Sequence, residues 1–377
     1  MIRLSKSKIG KEEISAVKKV LEKEYLGMGE EVGVFEKDLS KLFLRDSICV
    51  SSGTAAVQLA IQGCSIGNGD EILVPSMTYV ATFQAIKAAG AEPIACDIDE
   101  ETCLIDLNDA SSKISKRTKA IIPVHYTGGV GNLDELYSFA SKHNLRVIED
   151  AAHAFGTKYK GNLIGSIGDI VCFSFDGIKN ITSGEGGCIV TSDSKVAENI
   201  KNARLLGVEK DSDNRYRNLR SWNFDVSNQG WRYHMSNIMA AIGIQQLKKF
   251  NKFAVLRKQI AIKYDKLLSL NQNIKFLNRD YKNVVPHIYV VRIKGLNDRD
   301  GLREAMNKKG IEIGVHYTPN HLLSFFKSNQ TNKLPITEKV YKEIISLPIH
   351  PDINKSDIEN VISTLEKLLP SYTNNAN

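Results

Sequence analysis

The chain has 377 residues, 42% of them hydrophobic and 25% charged, with a formal net charge of +7. That length exceeds what one hydrophobic core usually serves, so a large domain and a smaller one are expected. The composition is that of a globular protein, and the sequence carries no helix-turn-helix pattern, zinc-finger spacing, aromatic-basic repeat or bilayer-length apolar run, which argues against nucleic acid and membrane as partners.

Residues 1–8 lack the apolar stretch and small-residue cleavage site of a signal peptide. The six cysteines are scattered without a Cys-x-x-Cys, as expected of reduced thiols in a cytoplasmic protein. Ile14, Val17, Val20 and Leu21 then recur at helical spacing. From about residue 47 the chain alternates short apolar runs with helical stretches. Strands are expected at 47–51, 71–75, 92–97, 120–125, 145–150, 170–175 and 187–191, with helices at 54–63, 80–89 and 133–143 among them. The close spacing of the last two strands suggests a locally antiparallel part.

This alternation predicts an α/β fold: a three-layer α/β/α large domain over residues 1–245, with a mostly parallel mixed sheet covered on both faces. A smaller α+β domain is expected over 246–377. Helices are expected at 235–250, across that boundary, and at 252–270. Strands near 288–292 and 312–316 and helices near 298–309 and 356–368 would follow.

Candidate chemistry gathers at the predicted strand ends. Lys179 lies in Ser174-Phe-Asp-Gly-Ile-Lys-Asn-Ile-Thr-Ser-Gly-Glu-Gly-Gly187, directly after an apolar strand. A lysine there is expected to be buried, and burial favours the neutral, nucleophilic amine. Asp150 ends another strand. An amine and a carboxylate so placed suit pyridoxal phosphate (PLP): the lysine bonds the aldehyde as a Schiff base, and the aspartate pairs with the ring nitrogen. Ser51-Ser-Gly-Thr-Ala-Ala56 follows a strand and opens a helix, where Gly53, Thr54 and free N–H groups suit a phosphate, and Ser174 is a further donor. Tyr79 stands at a strand end, placed to stack on a flat ring or simply to pack. His153 follows Asp150 by three residues and is either a donor to the ring oxygen or a core histidine. His316, Tyr317 and His321 cluster without a ligand set, so no metal site is expected. The glycines at 184–187 lack the Gly-x-Gly-x-x-Gly dinucleotide fingerprint.

Together these motifs resemble the DegT/DnrJ/StrS family of PLP-dependent nucleotide-sugar aminotransferases, which has the aspartate aminotransferase fold (fold type I). Ser52-Gly-Thr-Ala-Ala56, Val74-Pro-Ser-Met-Thr-Tyr79, Glu149-Asp-Ala-Ala-His153, the Lys179 segment, Gly230-Trp-Arg-Tyr-His-Met-Ser-Asn237 and Ser346-Leu-Pro-Ile-His-Pro351 carry the resemblance over nearly the whole chain. It implies that Lys179 holds PLP and moves the proton, that Asp150 pairs with the ring nitrogen, and that Gly53, Thr54 and Ser174 bind phosphate. Tyr79 would stack on the ring, His153 would approach the ring oxygen, and His316 and Tyr317 would line the substrate site. It also implies a homodimer with shared active sites, in which Arg232 of one chain reaches the phosphate of the other. Here Arg232 and His234 replace the more common asparagine and arginine. The implied reaction takes an amino group from an amino acid, by analogy L-glutamate, to a nucleotide-linked keto sugar for surface polysaccharide such as the O-antigen of lipopolysaccharide. Ile181-Thr-Ser-Gly-Glu-Gly-Gly187 resembles members acting on 4-keto-6-deoxy sugars more than 3-keto ones. Lys179 speaks against a dehydratase, and the intact site against a non-catalytic regulator with this fold.

Overall fold

Strands that are apolar on both faces have no side to turn to water, so helices must cover them above and below. In the computed structural model, which describes residues 1–220, 222–327 and 333–374, this is the arrangement of the first two-thirds of the chain. Its elements are α1 (Lys11–Glu22), α2 (Glu30–Phe43), β1 (Asp46–Val50), α3 (Gly53–Gly63), β2 (Glu71–Pro75), α4 (Val80–Ala88), β3 (Glu92–Cys96), α5 (Leu107–Ser112) and β4 (Thr118–Ile121). There follow α6 (Leu133–Lys142), β5 (Arg146–Asp150), a small hairpin of β6 (Lys158–Tyr159) and β7 (Asn162–Leu163), β8 (Ile170–Ser174), β9 (Gly187–Thr191), α7 (Ser194–Ala203) and α8 (Asp211–Tyr216).

Seven strands form one sheet in the order β1-β9-β8-β5-β4-β2-β3. The five from β8 to β3 are parallel, while β9 runs antiparallel to both β8 and β1. Alternate side chains feed two cores: Ile48, Val50, Ile72 and Val74 pack toward α3, and Cys49, Leu73, Ile121 and Val147 pack toward α2 and α6. The expected run at 120–125 is shorter as a strand, because Pro123 has no N–H to give the ladder. The chain stays fastened beyond it, with Asp150 N–H donating to the Pro123 carbonyl at 2.9 Å and His125 N–H to the Asp150 carbonyl at 3.0 Å. These bonds fix the end of β5, where Asp150 stands.

The remaining elements are α9 (Asn237–Leu268), β10 (Ile274–Phe276), β11 (Tyr289–Ile293), α10 (Arg299–Lys308), α11 (Ser324–Lys327), α12 (Pro335–Glu343), β12 (Ile344–Leu347) and α13 (Lys355–Leu368). Three antiparallel strands, β10-β11-β12, pack on α9, α10 and α13 around Tyr264, Leu302 and Val361. The two helices expected at 235–250 and 252–270 are one helix, since no proline or glycine interrupts residues 244–268. The expected division between residues 245 and 246 falls inside it. The expected strand at 312–316 is absent. Ile311 and Gly314 each make a single bridge, to Ile2 and Ser346, before the chain turns toward the large sheet. The third strand comes instead from Ile344–Leu347.

Candidate functional site

The carboxyl ends of parallel strands leave a crevice where their loops diverge. Here it is a cavity of about 430 Å³ lined by Ser52, Gly53, Thr54, Tyr79, Asp150, His153, Ser174, Lys179, His316 and Tyr317. Nine of the ten sequence-marked residues, all but Arg232, therefore meet at one place.

Lys179 leaves β8 through a turn in which its N–H donates to the Asp176 carbonyl at 3.0 Å. Burial brings its amine down from 10.5 to about 8, against the raising pull of Asp150 and Asp176; Arg257 adds to the lowering. Asp150, buried at the end of β5, accepts from Thr82 Oγ1 at 2.7 Å and from the Ala152 N–H at 3.1 Å. Those two donors fix the carboxylate. Nothing in the sequence singles out Thr82, which reads as an ordinary position of α4.

At the other end of the cavity, Ser52 caps α3, its side chain accepting from the Ala55 N–H at 3.1 Å. Helix geometry leaves the N–H groups of Gly53 and Thr54 without an intrahelical acceptor. A Cβ on Gly53 would stand 2.7 Å from Ser174 Cβ, so only glycine lets α3 approach Ser174 this closely. Unshared N–H groups, two hydroxyls and a helix N-terminus together suit a phosphate dianion.

His153 Nδ1 accepts from the Thr127 N–H at 3.3 Å, and its Nε2 is 3.0 Å from the Tyr317 hydroxyl. Burial, helped by Lys179 and His316, pushes this imidazole well below its usual range, so it is neutral. With Nδ1 accepting, the proton sits on Nε2, which faces the cavity side. Tyr79 is 57% exposed, its ring 5.4 Å from that of Tyr317, so packing within the chain accounts for little of it. His316 is held by Ser346 Oγ at 2.7 Å from Nδ1, and burial lowers it to about 4, with Lys179 contributing. His287 is a further member that the sequence does not mark. It is 2% exposed, its Nε2 lies 3.4 Å from Lys179 Nζ, and its ring centroid is 4.5 Å from that of His153.

Arg232 does not line this cavity. It is exposed on the far side of β1, where residues 231–234 are tied back by Tyr233 N–H to the Arg204 carbonyl (3.0 Å) and Ser51 N–H to the Tyr233 carbonyl (2.7 Å). Buried Arg204 anchors this turn through Glu36, the Cys49 carbonyl (2.7 Å) and the Tyr216 hydroxyl (2.7 Å). His234 is lowered to about 4 by burial and then by Arg232, Arg204 and Arg215, leaving Arg232 as the cation of the segment.

The donor set fits PLP: an amine, a carboxylate held by two donors and a phosphate cradle line one cavity. Comparison with known proteins agrees. Residues 7–366 match the model of the DegT/DnrJ/EryC1/StrS aminotransferase family. An uncharacterized protein of Methanocaldococcus jannaschii, MJ1066, is 36% identical over 370 residues, 96% of each chain. Among solved structures, Helicobacter pylori PseC, an aminotransferase involved in the biosynthesis of pseudoaminic acid, superposes with a TM-score of 0.91 at 27% identity, covering 98% of this chain and 100% of that one. Spr1654 of Streptococcus pneumoniae in its PLP form gives a TM-score of 0.91 at 27% identity, covering 99% and 100%. The chain belongs to the DegT/DnrJ/EryC1/StrS aminotransferase family and is a PLP-dependent sugar aminotransferase of fold type I.

Proposed function

We propose that this cytoplasmic enzyme moves an amino group from L-glutamate to the keto carbon of a nucleoside-diphosphate-linked 4-keto-6-deoxyhexose, supplying an aminosugar for surface polysaccharide such as O-antigen. The observation that carries the reading is the meeting of Lys179, Asp150 and the α3 N-terminus in one cavity. The 4-keto preference rests on the Ile181–Gly187 ending, and the compartment on six free thiols.

PLP, when bound, supplies an aldehyde that carries the amino group and a ring that withdraws electrons from the bond being broken. The chain supplies the rest. With its amine at about 8, Lys179 has a usable neutral fraction near neutral pH. With the cofactor bound, its Nζ would hold the aldehyde, and when freed it would carry a proton between the two carbons that exchange the amino group. Asp150, fixed by Thr82 and Ala152, would pair with the ring nitrogen. Gly53, Thr54 and Ser174 would hold the phosphate, Tyr79 would cover the ring, and His153 would donate from Nε2 to the ring oxygen. His316 and Tyr317 face the sugar.

A second copy of the chain completes the site by bringing Arg232 to the phosphate. Leu219, Trp222 (89% exposed), Phe224 and Val226 lie bare on the same excursion that carries Arg232, an apolar strip that a symmetric interface would cover. Mixing inactive Lys179→Ala with Arg232→Ala chains then restores one complete site per mixed dimer; mixtures as inactive as their parents would contradict sharing. The reaction itself is tested with a panel of nucleotide-linked 3-keto and 4-keto sugars and glutamate, products being resolved by mass and proton spectra. Amination of the 3-keto sugars alone would overturn the 4-keto assignment. Borohydride treatment of the PLP-loaded enzyme should fix a pyridoxyl group on the peptide spanning residues 175–182.

A further inference from the structure

We propose that His287 is the fixed hydrogen-bond acceptor for the amine of Lys179, and that it aims the nitrogen lone pair into the cavity. Its Nε2 stands 3.4 Å from Nζ. The ring cannot turn away: it is buried two residues before β11, its centroid lies 4.5 Å from that of His153, and the residue's own carbonyl accepts from Arg257 Nη1 at 3.0 Å. An ammonium has three donors and no lone pair, so the nitrogen facing it must accept. That places the ring proton on Nδ1, which has no partner among the described residues.

The same surroundings keep the ring from taking the proton. An imidazolium here would face Lys179, Arg257 and the His153 and His316 rings, while Asp150 and Asp176 act on Lys179 itself. Burial, then Lys179, His153, Arg257 and His316, hold His287 well below the usual imidazole range. It is therefore an acceptor that orients without competing. When Lys179 loses a proton, one remaining N–H stays tied to Nε2, and the lone pair points elsewhere, toward the open cavity.

The inference rests on Lys179 being the reacting amine, but its tests use the apoprotein and leave that assignment to the borohydride experiment. The first is made on the native sequence, where folding is not in question. In protein labelled with ¹⁵N-histidine, at a pH below about 7, His287 should show an unprotonated Nε2 and a protonated Nδ1. The Nε2 resonance should move in Lys179→Ala. A protonated Nε2 in the native apoprotein overturns the proposal. The second is competitive labelling of Lys179 with acetic anhydride across pH, read by peptide mass. The native amine should titrate near 8. His287→Leu removes the acceptor of a charged donor and should raise the neutral fraction about tenfold at pH values well below the native titration. His287→Gln, whose amide oxygen can accept, should restore the native profile. Superimposable native and His287→Leu profiles would sink the idea.

Discussion

Gly53→Ala puts the phosphate cradle to a quantitative test. The added methyl would lie 2.7 Å from Ser174 Cβ, 3.0 Å from its Oγ and 3.3 Å from its Cα. None of these is the free end of a flexible side chain, so either the start of α3 or the end of β8 must move. Overpacking of this kind costs about 1–3 kcal/mol. The cost can appear in two places. If the strand ends stay put and the cradle opens, PLP affinity falls roughly 5- to 150-fold while the apoprotein melts as before. If the cradle holds, the apoprotein is destabilised by the same amount. Fluorescence titration of PLP and thermal melting of the apoprotein together account for both. Gly27→Ala is the control, since nothing lies within 4 Å of where its methyl would stand, and it should leave both readings unchanged. Gly53→Ala with native affinity and native melting would refute the close approach of α3 to Ser174.

The buried amine of Lys179 makes the apoprotein less stable than it would otherwise be. Its folded value of about 8 lies below the ordinary 10.5, so the unfolded chain binds the extra proton and stability rises with pH between those values. Apo Lys179→Met should therefore be more stable than native at pH 7, by on the order of 3 kcal/mol, with the gap closing toward pH 10 in urea titrations; a less stable mutant at pH 7 would contradict this. The same mutant should show no turnover. Arg204→Met strands the Glu36 carboxylate in the core and should cost about 3–5 kcal/mol in urea unfolding, where a loss below about 1 kcal/mol would show the pair to be replaceable. Asp150→Asn should slow the glutamate half-reaction roughly a hundredfold or more in stopped flow, and an unchanged rate would remove Asp150 from the ring nitrogen.

The cofactor end of the site was legible because each of its residues ends an apolar run. Asp150, Ser174 and Lys179 follow β5 and β8, and Ser52 to Thr54 follow β1, so the change from strand to polar turn marks them in one dimension. Thr82 and His287 carry no such mark. Thr82 is one of several small residues on α4, and its oxygen meets Asp150 only because β2 and β5 stand on either side of β4 in the sheet. His287 precedes a strand of the other sheet and reaches Lys179 across 108 positions of sequence. Arg257 belongs to a charged stretch of α9 that reads as a solvated face, yet it is buried with no carboxylate paired to it among the described residues. The missing strand at 312–316 failed for a similar reason. Ile313 is buried in the small-domain core, but Gly314 makes only a single bridge, to Ser346, in place of a ladder.

That departure of residues 314–322 from the small sheet is what brings His316 and Tyr317 to the cavity of Lys179 and Asp150. After Gly314 the chain crosses to the ends of β2, where Asn320 Nδ2 donates to the carbonyls of Ser76 (3.1 Å) and Thr78 (2.8 Å) and His321 Nδ1 meets Ser76 Oγ at 2.7 Å. Asp97, at the end of β3, receives the first N–H groups of α12 from Ile336 (3.0 Å) and Thr337 (2.7 Å). Both clamps are buried and lie on one edge of the large sheet, beside Tyr79. Lys179, Asp150 and the α3 cradle hang from the opposite, central strands. Lys179, Asp150 and the α3 cradle thus rest on different strands from the clamps of residues 314–322, and the two groups meet where His153 approaches Tyr317 (3.0 Å), at the Tyr79–Tyr317 ring contact and where the Tyr126 hydroxyl donates to the His316 carbonyl. On the proposed reading, sugar preference can then change by substitution within 314–322 while the cradle and Lys179 keep their positions.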